Sequence, residues 1–250
     1  MNVLNTAFPW FGLAGALVLL PLLFLTNSLR SDVSVSRWRD LTWLSWIGAT
    51  AYLLHNVEEY GIDLLGQTYA FPKFFCGIFG FAAPYPTCPV EPAVFTAVNV
   101  PMFWLAAPIA ALLSKRHLVV GLTIYSVIAV NMVSHIVEGV VSGTFYNPGF
   151  LTALVLFLPL TVWVIYALFV TGPLSYRTLA YMIGWGVALH LILMAGMLPV
   201  IKGDLHDETP AIIVQLANAA LLIFVPWLFE RGLGGAVFRS PAPATNDVSV

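Results

Sequence analysis

Charge is what this chain has least of. Of its 250 residues only ten are Lys or Arg and twelve Asp or Glu, 9% together, against 60% hydrophobic residues. A soluble domain carries about 25% charged residues, so the deficit excludes that class, and the mean hydropathy of +0.90 points the same way. A net charge of −2 leaves no basic surface, and no nucleic-acid partner is expected. Cysteine is nearly as scarce, with only Cys76 and Cys88. These two have no CxxC spacing and no neighbouring His, which argues against a thiolate metal site. Also missing are an internal repeat, a linker long enough to separate two domains, and any Lys or Arg ahead of the first apolar run, as a cleaved signal peptide would need.

What fills the chain is a series of runs of about 20 apolar residues, the length that crosses a bilayer as a helix. They fall at residues 8–26, 41–60, 93–113, 118–141, 150–170, 179–200 and 211–229. The expected fold is therefore all-α, a polytopic transmembrane bundle of about seven spans in a single domain over residues 1–230. Residues 231–250, rich in Gly, Pro and Ala, are expected to form a disordered tail. Arg30, Arg37, Arg39, Lys115, Arg116, Arg177, Arg231 and Arg239 share one side if the spans alternate, and only Lys73 and Lys202 fall on the other. The positive-inside rule then puts the N-terminus outside and the C-terminus in the cytoplasm of a multi-pass inner-membrane protein. Both cysteines lie in an outer loop, where an oxidising compartment favours a Cys76–Cys88 disulfide. The outer loop from Lys202 to Glu208 reads as a solvated connection and not as an acidic rim over a site.

Ionisable residues inside spans are costly and mark function. The second span carries His55, Glu58 and Glu59 within one helical turn, and the fourth carries Asn131, His135 and Glu138 on one face. At 1.5 Å per residue both histidines stand on the order of 20 to 25 Å from the cytoplasmic ends, so two parallel helices offer the same His-x-x-Glu pair at one height. His190 in the sixth span lies slightly deeper, with Trp185 nearby, and Asn99, Gln215 and Asn218 sit near the same level.

The runs His55-Asn56-Val57-Glu58-Glu59, Asn131-x-x-x-His135 and Tyr146-Asn147-Pro148-Gly149-Phe150-Leu151-Thr152 resemble, in this order, the HXXEE-domain family of bacterial integral membrane proteins. The resemblance covers about residues 41–229. It implies that these residues act together and carries no activity with it.

Residue chemistry has to supply the rest. Glu-x-x-His pairs on facing helices build di-metal sites, and His-x-x-Glu is that spacing reversed. Mixed imidazole and carboxylate donors suit Fe, Mn or Zn. The expected ligands are His55, Glu58, His135, Glu138 and His190, with Glu59 as the proton-handling neighbour and Asn131 orienting a ligand or the substrate. Asn99, Trp185, Gln215 and Asn218 are the expected substrate-binding residues. The expected function is a membrane enzyme of lipid metabolism, its centre in the outer half of the bilayer, taking an apolar, isoprenoid-like substrate laterally from the surrounding membrane lipids. Two other functions fit the same residues. One is a metal-free acid–base isomerase or cyclase of sterol or terpenoid type, with Trp43, Trp46, Trp104 and Trp185 facing a cationic intermediate. The other is a proton-coupled transporter, against which stand the lack of a repeat and of matched broken helices. A purely structural polar network is the fourth possibility, though such networks seldom gather three carboxylates.

Overall fold

The computed structural model describes residues 3–203, 207–233 and 237–238, all helix and connections apart from isolated two-residue bridges. Helix α1 is Val3–Leu25 and α2 is Leu41–Asn56, continued by a wider π-type turn over Val57–Gly61. A short α3, Ala70–Ile78, precedes α4 (Pro92–Leu113), α5 (Leu118–Val141), α6 (Phe150–Val170), α7 (Tyr176–Ile201) and α8 (Thr209–Leu233). The long helices alternate in direction, so Gly61, Pro92, Val141, Phe150, Ile201 and Thr209 share one end of the bundle, called here the motif end.

Among the described residues six helices are long and apolar enough to cross a membrane: α1, α4, α5, α6, α7 and α8. Helix α2, expected as a seventh span, is long enough but too polar to qualify alone, because His55, Asn56, Glu58 and Glu59 dilute it. Its polarity is covered by its neighbours: 13 of its 16 α-helical residues are buried. Helix α5 is 67% buried over its apolar window, whereas α1, α7 and α8 are 28% buried there. The two helices with the polar motifs thus form the centre, and the peripheral ones turn bare Val, Leu and Ile outward, as lipid-facing surfaces do.

Local sequence explains the entry to α2. Asp40 caps it, its carboxylate accepting from Trp43 N at 2.9 Å, Ser31 N at 2.8 Å and Asp32 N at 2.7 Å. At the same end Arg37 donates to the orphan carbonyls of Leu23 and Phe24 that close α1. Close helix contact at the centre depends on glycine. Gly48 lies against Ile124 and Tyr125 of α5, and any Cβ on Gly186 of α7 would run into the Ser126 carbonyl of α5.

Two features differ from the sequence expectation. The loop between the second and third apolar runs contains α3, which buries Ala70, Pro72, Phe75 and Cys76 across the motif end. At nine residues, with a Pro and a Gly inside, α3 falls short of the about ten to twelve by which an apolar run is read as a helix. Cys76 and Cys88 stand at disulfide-bonding distance and hold this cap together. The tail expected to be loose from Arg231 starts as helix, and Val237 is buried, its carbonyl accepting from Ser175 N at 3.0 Å and Thr178 Oγ1 at 3.1 Å. One apolar valine against the start of α7 was enough to dock what composition marked as solvated. Residues 204–206, within the supposed acidic loop, and 239–250 lie outside the described residues.

Gly186→Ala should push α7 from α5 and lower stability by about 1–3 kcal/mol, the usual penalty for overpacking. Thermal unfolding of the detergent-purified variant measures it, and an unchanged midpoint would contradict this packing.

Candidate metal centre and adjoining cavity

The centre begins where α2 loosens. In the turn Val57–Gly61 the chain bonds across five residues, with Ile62 N donating to Val57 O at 2.8 Å. Such turns recur at functional sites. Glu59, four residues beyond His55, stays on the histidine's side, while Glu58 faces the start of α6.

Glu58 is fully engaged there. Its carboxylate accepts from Leu151 N at 3.0 Å, Thr152 N at 2.7 Å, Thr152 Oγ1 at 2.5 Å and Tyr146 OH at 3.3 Å. It therefore caps the N-terminus of α6 from another helix, where backbone N–H groups and the helix dipole favour an anion. Burial, with the Glu58 and Asp63 charges behind it, pushes the Tyr146 phenol above its ordinary range, so that it remains a donor.

Thr152 also sets the state of His55. Its single hydroxyl proton goes to Glu58, or to Gly149 O at 3.2 Å, both acceptors. Toward His55 Nδ1, 2.8 Å away, the hydroxyl oxygen can then only accept. Nδ1 carries the proton, and Nε2 of the neutral ring presents a lone pair. His135 is fixed the same way. Asn147 gives its amide Nδ2 to His135 O at 2.8 Å, which aims Oδ1 at His135 Nδ1, 2.6 Å away; Nδ1 therefore carries a proton, and in the neutral ring Nε2 presents a lone pair.

Both Nε2 atoms point at one oxygen, Glu59 Oε1, each at 3.4 Å. The rings are 5.1 Å apart between centroids, and His55 Nε2 has no hydrogen-bond partner among the described residues. Charge-assisted N–H···O bonds run about 2.7–2.9 Å, so 3.4 Å is long for one. It matches the edge of a tetrahedron with metal–ligand bonds of about 2.0–2.1 Å, which is about 3.3–3.4 Å. All three side chains are buried, with ligand atoms within 4.8 Å of one another: a His55/Glu59/His135 group that could hold a metal.

Gly149 closes over the group. Its φ is +96°, and a Cβ there would lie 2.6 Å from His135 Cε1 and 2.8 Å from His55 Cε1. Only glycine satisfies both the backbone and the two rings beneath it.

Beside the group lies a cavity of about 320 Å³, which Glu59 and His135 reach and the fully buried His55 does not. Asn131 and Glu138 of α5, His190 of α7, Asn99 of α4 and Asn218 of α8 line it as well. Its remaining surface is largely aromatic, including Tyr52, Phe71, Phe75, Phe95 and Phe103. Exposed Ile78, Phe79 and Ser134 mark where it opens.

Several expectations need correcting. Glu58 is an internal cap, and Glu59 takes the ligand position assigned to it. An i,i+4 neighbour lies about 40° from His55 around the helix and an i,i+3 neighbour about 60°, and the wide turn keeps the first in place. Glu138 and His190 line the cavity but stand outside the ligand group. Trp185 and Gln215 do not line it, Gln215 giving its amide to Leu193 O at 3.1 Å. Trp43 is a packed residue bonded to Leu23 O, and none of Trp43, Trp46 and Trp104 reaches the cavity, whose aromatic faces are Phe and Tyr. Asn147, Gly149 and Thr152 had no individual role assigned; the signal for them was the run Tyr146–Thr152 in the family resemblance, which implied that they act with the two histidine motifs.

Taken together, these features define a helical protein with membrane-spanning potential, built around a buried His/Glu centre. Residues 46–164 match the family model described as "Protein of unknown function with HXXEE motif", so this stretch carries an HXXEE domain. No curated protein and no solved structure matches the chain.

Glu58→Ala should strip acceptors from the buried start of α6 and destabilise chelator-treated protein by about 3 kcal/mol, since each orphaned buried donor costs about 1–3 kcal/mol. Glu59→Ala, beside an existing cavity, should stay within about 1 kcal/mol of the parent. Thermal unfolding of both variants tests the assignment, and the reverse order would refute it.

Proposed function

We propose that the chain is a membrane-embedded metalloenzyme in which His55, Glu59 and His135 hold a divalent ion. The observation that carries this reading is the convergence of two imidazole Nε2 atoms on one carboxylate oxygen at 3.4 Å, longer than a charge-assisted hydrogen bond, with each ring held from behind at Nδ1. In metal sites a hydrogen bond to the ring nitrogen away from the ion serves this purpose. Two histidines and one carboxylate, with further positions open, are the donor set of catalytic zinc and of non-haem iron, and Mn suits the same ligands. The open side faces the cavity, through Glu59 and His135.

A bound metal supplies a Lewis acid and lowers the pKa of a water or hydroxyl group on it. The chain's own residues supply the rest. Glu138, one turn beyond His135 on the cavity wall, exchanges protons with the reacting molecule. The aromatic lining admits an apolar, lipid-like substrate and excludes water. By the distribution of positive charge the motif end faces away from the cytoplasm, and the inner membrane is the proposed location.

One observation favours a second reading. Phenylalanine and tyrosine faces around carboxylates and an imidazole would also suit metal-free acid–base isomerisation or cyclisation through a carbocation.

Metal analysis of protein purified without chelators separates the two. Close to one Fe, Mn or Zn per chain is expected in the parent, with losses of about tenfold or more in His55→Ala, His135→Ala and Glu59→Ala, and retention in His190→Phe. Metal-free parent protein that still converts substrate would leave only the acid–base reading.

A further inference from the structure

The far wall of the cavity gathers buried acceptors that have no partner among the described residues. At 1.5 Å per residue, Asn131, His190 and Asn218 each lie about 14–17 Å in from Val141, Ile201 and Thr209, on three different helices and at one depth. By the same rise His135 lies about 9 Å in, so this recess is about 6 Å deeper than the ligand group.

Acceptor atoms are left over on these side chains, because the ring hydrogen of His190 and one of the two on the Asn218 amide go to nearby backbone. His190 Nδ1 donates to Gly186 O at 2.8 Å, which leaves Nε2 as an acceptor. Asn218 donates Nδ2 to Leu189 O at 3.1 Å, and its Oδ1 is buried without a partner among the described residues, in a residue only 1% exposed. Asn131 Oδ1 is likewise buried and unpartnered. Ser134, on the same wall, gives its hydroxyl to Val130 O at 3.0 Å. The recess thus offers three acceptors, the Oδ1 atoms of Asn131 and Asn218 and Nε2 of His190, beside the Asn131 amide. That set suits a group able both to donate and to accept, as a hydroxyl does. An acceptor left unpartnered costs about 1–3 kcal/mol, and a ligand bringing a donor recovers it.

We infer that Asn131, His190 and Asn218 form a specificity pocket for a hydroxyl group at the end of an apolar substrate. The substrate class of the centre is accordingly a long-chain or isoprenoid-type alcohol, held by its O–H while a point a few carbons along lies beside His135 and Glu59. This rests on the cavity being the substrate chamber. A site built to accept from a hydroxyl rejects the analogue lacking it, since its buried acceptors stay unpaired.

The test is competition for crosslinking by a diazirine-bearing long-chain alcohol on the full-length protein in neutral detergent, quantified by mass spectrometry of the labelled peptides. Dodecan-1-ol should compete about tenfold better than methyl dodecyl ether, the worth of one hydrogen bond. In Asn218→Leu and in His190→Phe that preference should shrink to about twofold or less, with metal content unchanged. Equal competition by alcohol and ether in the parent protein overturns the inference without any variant having to fold. So does a preference that survives both substitutions, or dodecylamine outcompeting the alcohol tenfold. If the parent binds no metal yet keeps the preference, the metal reading fails and the hydroxyl pocket stands.

Discussion

The arrangement on which the rest depends is the meeting of two imidazole nitrogens and one carboxylate oxygen inside a helical bundle that has almost no other charge. A carboxylate at the centre of a membrane helix costs about 2.5–3.5 kcal/mol or more. Two adjacent ones, Glu58 and Glu59, need two different answers. Glu58 is satisfied by a helix N-terminus and two hydroxyls. Glu59 faces the Nε2 atoms of both histidines at 3.4 Å, and positive charge there, on a ring or on a bound ion, is the natural complement of its carboxylate. The wide turn in α2, the turn Tyr146–Gly149 laid over both rings and the packing of α3 follow from holding these groups in place.

Labour is divided among the helices accordingly. Helices α2 and α5 are the most enclosed and bear the polar residues, while α1, α7 and α8 present apolar flanks outward. The whole ligand group and its hydrogen-bonded locks, Asn147, Thr152 and Glu58, fall inside the 46–164 stretch that defines the family. His190 and Asn218, which shape the far wall of the cavity, fall outside it.

Much of the frame was legible from residue pattern. Long apolar runs can satisfy their backbone in lipid only as helices, so the all-helical class follows from composition and period. The pairing of His55 with His135 was legible as well, because two like-directed helices carried the same polar spacing at one height. Less visible was the choice between Glu58 and Glu59. Helical geometry separates the two only by some 20° in their offset from His55, and the start of α6, distant in sequence, claims the first. Nor could spacing tell that Glu138 and His190 would line a chamber without ligating, since reach depends on how far apart the backbones settle.

Residue order by itself therefore determined that the chain is a bundle of apolar helices with a costly polar knot near one end of the second and fourth, because hydrophobicity and helical period are local properties. Tertiary structure alone decided which acids and rings meet, which tautomer each histidine adopts and where the open face of the centre points. Those outcomes hang on single hydrogen bonds between segments nearly a hundred residues apart, such as Thr152 to His55 and to Glu58, and no local pattern encodes a contact of that range.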